Sequence, residues 1–162
     1  IRAWTYNVGN GGGDALFNAA TDYSVALNIV ESTLQDVSTR EGVYWNPSLG
    51  IKLSTGEILS PATALEHEVD HQYDLLKSPS SHQNRTLSAE ERRVRKGAEL
   101  KTAIANGELR KDHPGRSLDD QSTFVVTNGV TSNIESSKNE SQRLRSRIED
   151  RVIERIQSWQ EQ

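Results

Sequence analysis

Ser60-Pro61-Ala62-Thr63-Ala64-Leu65-Glu66-His67-Glu68-Val69-Asp70-His71-Gln72-Tyr73-Asp74-Leu75-Leu76-Lys77-Ser78-Pro79 is the stretch on which the reading of this 162-residue chain turns. Ser60 offers a capping hydroxyl and Pro61 suits a first helical position, so a helix is expected to begin here. Lys77-Ser78-Pro79 is expected to end it. Inside it, residues 67–71 spell His-Glu-x-x-His. Imidazoles four positions apart project from one helix face, one turn apart, and both can reach a single ion. Glu68 lies about 100° around the helix from His67, so its carboxylate can reach beside that ion and hydrogen-bond a water held there. Ala64, Leu65 and Leu75 place the motif on a partly buried face.

Composition narrows the chemistry. The chain has no cysteine, so disulfides and thiolate metal sites are excluded, and His and carboxylates are left as the strong metal ligands. The net charge of -4 announces no basic surface for nucleic acid or anionic membrane. No apolar run approaches the ~18 to 20 residues needed to cross a bilayer, and the N-terminus lacks the layout of a signal peptide. The chain opens at Ile1 and contains no methionine, as expected of an excised piece or processed form of a longer polypeptide.

Working outward, Val43-Tyr44-Trp45, Ile51-Lys52-Leu53 and Glu57-Ile58-Leu59 have strand character and predict a small sheet with one tight hairpin. Gly9-Asn10-Gly11-Gly12-Gly13 reads as an entry loop. Asp14 would then cap a packing helix with Leu16, Ala19, Ala20, Tyr23, Leu27, Val30 and Leu34 at helical spacing. A phosphate-binding loop would need Lys followed by Ser or Thr, where Asp14, Ala15 and Leu16 stand. Beyond the motif, Ser88 with Glu91 three residues on predicts a capping box and a helix reaching about Asn106-Gly107. Residues 110–122 read as loop and Phe124-Val125-Val126 as a last strand. Leu144, Ile148, Val152, Ile156 and Trp159 mark a charged amphipathic tail helix, a surface for packing or self-association. The expectation is an α+β fold: a small, mostly antiparallel sheet on a site-bearing helix and backing helices. Residues 1–133 would form the domain and 134–162 the tail.

Two histidines leave zinc one protein ligand short. A third histidine in the metzincin pattern would need Gly at position 74 and His at 77, and Asp74 and Lys77 stand there. Glu91 is the first candidate. It lies within about 60° of the stripe formed by Leu87, Val94, Ala98 and Ala105, and the 19 residues at 72–90 that separate it from His71 resemble the spacing of thermolysin-like zincins. Glu99 is the alternative, in a glutamate-then-small-residue pattern, while Glu90 is expected at the surface and Asp119 and Asp120 are poorer choices. His113, Arg116 and Tyr73 are candidates for donating hydrogen bonds to a developing oxyanion. Asp74 is a candidate for orienting a ligating imidazole, and His82 is expected to be solvated.

From about Val43 to Val130 the chain resembles the HExxH metallopeptidase toxin domains at the C-termini of bacterial RHS-repeat polymorphic toxins. The resemblance is carried by Asn46-Pro47-Ser48-Leu49-Gly50, Thr55-Gly56-Glu57-Ile58-Leu59-Ser60-Pro61, Ala64-Leu65-Glu66-His67-Glu68 with His71, Glu90-Glu91-Arg92-Arg93-Val94, and Ala105-Asn106-Gly107-Glu108-Leu109-Arg110-Lys111-Asp112-His113. A more distant similarity runs to type III secreted effector peptidases. The resemblance implies a zincin-like fold and a zinc-dependent endopeptidase secreted or delivered into another cell. His67 and His71 would be ligands and Glu68 catalytic, with a protein or peptide substrate and a cognate immunity protein as partners. Asp70 departs from the aliphatic residue common in that family. The layout also suggests that an extended substrate pairs with the strand at Ile51 to Leu53 or at Glu57 to Leu59. Two other readings of the motif are a non-catalytic metal-binding interaction domain and a metal-dependent hydrolase of a non-peptide bond.

Overall fold

A computed structural model describes residues 1–136. In chain order the elements are α1 (Arg2–Gly9), α2 (Asp14–Thr21), β1 (Ile29–Glu31), β2 (Val37–Thr39), β3 (Gly42–Trp45), β4 (Leu49–Lys52), β5 (Ile58–Leu59), α3 (Pro61–Lys77), α4 (Pro79–Gln83), α5 (Leu87–Lys96), α6 (Ala98–Ala105) and β6 (Thr123–Val126). The class is α+β, as the sequence implied. The strands form two three-stranded sheets rather than one, in the orders β1-β3-β2 and β5-β4-β6. All pairings are antiparallel except β1 with β3. The expected hairpin is β4 with β5, in the register Ile51 to Leu59 and Lys52 to Ile58. It closes through Ser54-Thr55-Gly56, where Gly56 takes φ 103°, a conformation that favours glycine.

The site helix α3 is the hub of the fold, touching α1, α2, α4, α5, α6 and both sheets. It starts as expected, with the Ser60 side chain accepting from Thr63 N–H and Pro61 in the first turn. One apolar cluster joins Ala62, Leu65 and Val69 of α3 to Ala3, Ala15, Leu16 and Val43. A second joins Ala64 to Ile51, Leu53, Leu59, Ala103 and Leu109. Each buried Leu in these clusters contributes about 1.5–3 kcal/mol relative to exposure. The hub is therefore fixed on two sides before any polar contact is counted.

The N-terminal region departs from expectation. The first residues form α1, whose Asn7 donates to the Ala62 carbonyl at 2.7 Å. Gly13, at φ 70°, is the cap residue of α2, and Asp14 is the first helical residue rather than the cap. The capping acceptor comes from elsewhere: Glu66 of α3 accepts from Ala15 N–H at 2.6 Å and Leu16 N–H at 3.3 Å. Nor does α2 continue to Leu34. Asp22 accepts from both Ser24 N–H and Ser24 Oγ, a local turn that competes with the helical ladder, and Val30 goes instead into β1.

The helix expected from Ser88 to Asn106-Gly107 is two helices. Thr86, not Ser88, caps the first by accepting from Ala89 N–H at 3.2 Å. The break is at Gly97, where a Cβ would stand 2.7 Å from the Arg93 carbonyl oxygen. Leu87, expected on the apolar stripe, is largely exposed, whereas Val94 is fully buried. Past Val126 the chain folds back, with Thr127 bridging Glu135 and Ser136 N–H donating to Val126 O at 2.7 Å. Ordered pairing thus runs slightly beyond position 133. The expected tail helix, Leu144 to Trp159, lies outside the described residues. No described helix is long and apolar enough to cross a membrane.

Candidate metal centre

Four residues apart on α3, His67 and His71 turn their rings toward each other. Their centroids are 4.7 Å apart at 76°, and the two Nε2 atoms are 3.1 Å apart. From α5, Glu91 closes the triangle, with Oε1 3.0 Å from His71 Nε2 and Oε2 3.7 Å from His67 Nε2. Tetrahedral zinc with ligands at ~2.0–2.1 Å has donor atoms about 3.3 Å apart. The observed 3.0 to 3.7 Å brackets that spacing, so these three residues could hold a metal ion of that size. Among the described residues no fourth His, Asp or Glu joins their group, which suits a site with one position open.

The outer ring nitrogens are also engaged. His71 Nδ1 is 3.0 Å from Glu90 Oε1. His67 Nδ1 is 2.7 Å from Glu99 Oε2, an ion-pair contact too far out of line to be an aligned hydrogen bond. A carboxylate behind each imidazole directs the other nitrogen, Nε2, toward a cation. Arginines hold both carboxylates. Arg116 grips Glu99 through Nε at 3.1 Å and Nη2 at 2.6 Å. Glu90 takes Arg93 at 2.7 and 3.1 Å and Arg85 Nε at 2.6 Å.

The electrostatics call for positive charge at the point where the three ligands meet. Burial alone would lower the His67 pKa, but the Glu91 and Glu99 carboxylates raise it to about 10. Contact with His67 and then His71 holds Glu91 far below the usual carboxylate range. Burial pushes Glu90 upward, yet Arg93 and His71 bring it down to about 2. Burial raises Glu68, partly opposed by His67 and His71. Burial also raises Asp36 to about 7 despite the Asn46 N–H on its Oδ1, and the charge of Glu68 adds to the rise. Its Oδ2 is buried and has no partner among the described residues. Without metal a proton on His67 answers this excess of carboxylate.

Glu68 lines a cleft of about 570 Å³ together with Asp36, Ser38, His71 and Glu91. The other sequence candidates lie elsewhere. Tyr73 is two residues past His71, about 200° around the helix. Its hydroxyl donates to Asp22 at 3.0 Å, and it lines a separate cavity with Asp14 and Lys77. His113 accepts from Gly115 N–H at 3.0 Å and faces a third cavity with Leu53 and Ser54. Arg116 is committed to Glu99. Asp120 accepts from Ser54 N–H, and Asp119 is exposed.

Asp74 does not touch a clustered imidazole. It meets His82 Nδ1 at 3.0 Å and the Arg85 guanidinium, so His82 is held rather than solvated. Asp74, His82 and Glu90 form a second group with metal-like spacing, but Arg85 bonds both of its carboxylates and supplies the cation.

Glu99, the alternative ligand by sequence, is thus behind His67, and Glu90, expected at the surface, is 5% exposed behind His71. The signal for Glu90 was present in Arg93, three residues on, which marks a helix face where a carboxylate is paired. Asp36 carried no such signal, because its place depends on a loop entering β2. No protein family, characterised protein or solved structure matches the chain.

Proposed function

We propose that the chain is a zinc-dependent endopeptidase, acting as a secreted or delivered effector or toxin domain on a protein of a target cell. The observation that carries the chemistry is the convergence of His67 Nε2, His71 Nε2 and Glu91 on one point, at a cleft that Glu68 lines with His71 and Glu91. Two His and one Glu with a position open is the donor set of catalytic rather than structural zinc. When bound, zinc supplies a Lewis acid and lowers the pKa of a coordinated water to about 7.

The protein's own groups do the rest. His67 and His71 bind through Nε2, Glu91 adds charge, and Glu90 and Glu99 keep the rings oriented. Glu68 takes the proton from the attacking water as it adds to the peptide carbonyl. It returns that proton to the amine nitrogen as the C–N bond breaks. Burial holds Glu68 above an ordinary carboxylate against the pull of His67 and His71, which suits a group that must both accept and release a proton.

Tyr73 and His113 have no part in this reading, since neither lines the cleft. The sheet edge for an extended substrate is also revised. β4 is paired on both sides, and Leu59 of β5 is fully buried. β2 is an edge strand whose Val37, Ser38 and Thr39 wall the cleft, so a substrate strand is proposed to pair there.

Metal analysis combined with a protease assay tests the reading. About one zinc per chain is expected in wild type and in Glu68→Gln, with cleavage of unfolded protein only in wild type. Equal activity in the two would remove Glu68 from its role. Absence of zinc from folded wild type would remove the enzyme reading.

A further inference from the structure

Asp74, His82 and Glu90 belong to three successive helices, α3, α4 and α5, and bring one ligand atom each to within 4.8 Å of the others. His82 Nδ1 is 3.0 Å from Asp74 Oδ2 and 3.7 Å from Glu90 Oε1, the same range as in the first cluster. Two carboxylates with one imidazole carry more negative charge than the two imidazoles and one carboxylate of His67, His71 and Glu91. On donor chemistry alone this second group should draw a divalent cation. It holds Arg85 instead, which stands three residues past His82 in the turn between α4 and α5. The Arg85 N–H donates to the His82 carbonyl at 3.2 Å, which ties the residue to the group. Each guanidinium nitrogen is engaged there: Nε donates to Glu90 Oε2 at 2.6 Å, Nη2 to Asp74 Oδ2 and Nη1 to Ser81 Oγ at 3.1 Å. A planar fork can meet two carboxylates at once, and the short tether keeps it there at high effective concentration.

We infer that Arg85 is a tethered cation standing in a second metal site, and that it limits the chain to a single ion. The inference rests on the metal reading of the first cluster and not on the class of bond cleaved. The two groups share Glu90: Oε1 is 3.0 Å from His71 Nδ1, while Oε2 accepts from Arg85 and Arg93. A metal ion in place of Arg85 would compete with His71 for Glu90 and set a second divalent charge behind a ligating imidazole. It would also stand at the cleft, since His82 and Glu90 line it together with Glu68. Arg85 excludes both outcomes. Arg93 does not duplicate it, because its carboxylate partners are Glu90 and Asp70. Loss of Arg85 therefore leaves the Asp74 carboxylate with His82 as its one described charged partner.

Equilibrium dialysis at buffered free zinc, followed by elemental analysis, tests this in wild type, Arg85→Gln and the double variant Arg85→Gln, His82→Gln. Circular dichroism checks each fold, and Arg85→Ser takes the place of Arg85→Gln if that variant is unfolded. Wild type is expected to saturate at about one ion per chain. Arg85→Gln should reach about two, with an affinity for the second ion at least about tenfold above that of wild type. Adding His82→Gln should remove the second ion and keep the first. Wild type that fills two sites over the same range, an Arg85 variant that stops at one, or a second ion that survives His82→Gln overturns the inference and leaves the first cluster standing. A folded wild type that takes up no zinc overturns the metal reading and this inference with it.

Discussion

Glu90 and Glu91, neighbours in sequence, hold opposite sides of one imidazole: Glu90 Oε1 is 3.0 Å from His71 Nδ1, and Glu91 Oε1 is 3.0 Å from His71 Nε2. Their substitutions should therefore differ in kind. Glu91→Gln removes a ligand charge and is expected to abolish tight zinc binding. Glu90→Gln leaves the ligand set intact and should weaken binding by about 10–100-fold. Competition against a chromophoric chelator measures both, and equal losses would contradict the division of roles.

Glu68 is expected to be separable from metal binding. Glu68→Gln should keep zinc stoichiometry and thermal stability near wild type while kcat falls by at least about 10²–10⁴-fold, as followed by release of a quenched fluorescent peptide. A variant that loses zinc and activity together would place Glu68 among the ligands.

The Glu99 and Arg116 pair is buried, so removing Arg116 leaves the Glu99 carboxylate with His67 as its one described charged partner. Arg116→Ala should destabilise the apo protein by about 3–5 kcal/mol, measured by urea unfolding. A loss under 1 kcal/mol, the range of an exposed pair, would show that the pair is not sealed from water.

Asp36 gives a pH test. Its folded pKa, about 7, is above the unfolded value near 3.8 because burial disfavours the charged form. A raised carboxylate leaves stability intact below the unfolded value and removes it as pH rises through the folded value. Asp36→Asn should thus gain on apo wild type by a few kcal/mol between pH 4 and pH 8, in paired denaturant titrations. A difference that does not vary with pH would refute the assignment.

Thr86→Ala is expected to cost about 1 kcal/mol through loss of the α5 cap. Ser88→Ala, which makes no capping contact, should stay within about 0.5 kcal/mol. Thermal melts of the two variants decide between the observed cap and the one suggested by sequence.

What could be read from the chain alone was local. Ser60-Pro61 announced α3 because capping chemistry is written in two adjacent residues, and Ser54-Thr55-Gly56 announced the hairpin for the same reason. The meeting of His67 and His71 was legible through helical spacing; Glu91 reaches them although Leu87 of its expected stripe is exposed and the helix breaks at Gly97. Glu66 at the start of α2, Glu99 behind His67 and Arg116 behind Glu99 join partners 17 to 51 residues apart, and such pairings leave no periodic trace. The helix overrun to Leu34 arose because apolar spacing in residues 16–34 cannot show that Asp22 prefers its own local turn. Tyr73 and His113 were chosen for chemical type alone, and only tertiary contacts reveal that each already has another neighbour.

The turn at Glu66, His67, Glu68 and Val69 sends four consecutive side chains in four directions: to the start of α2, to the metal cluster, into the cleft and into the core. A slip of α3 by one position would exchange all four destinations together. The three-residue cluster therefore forms only when α3 and α5 are docked in register.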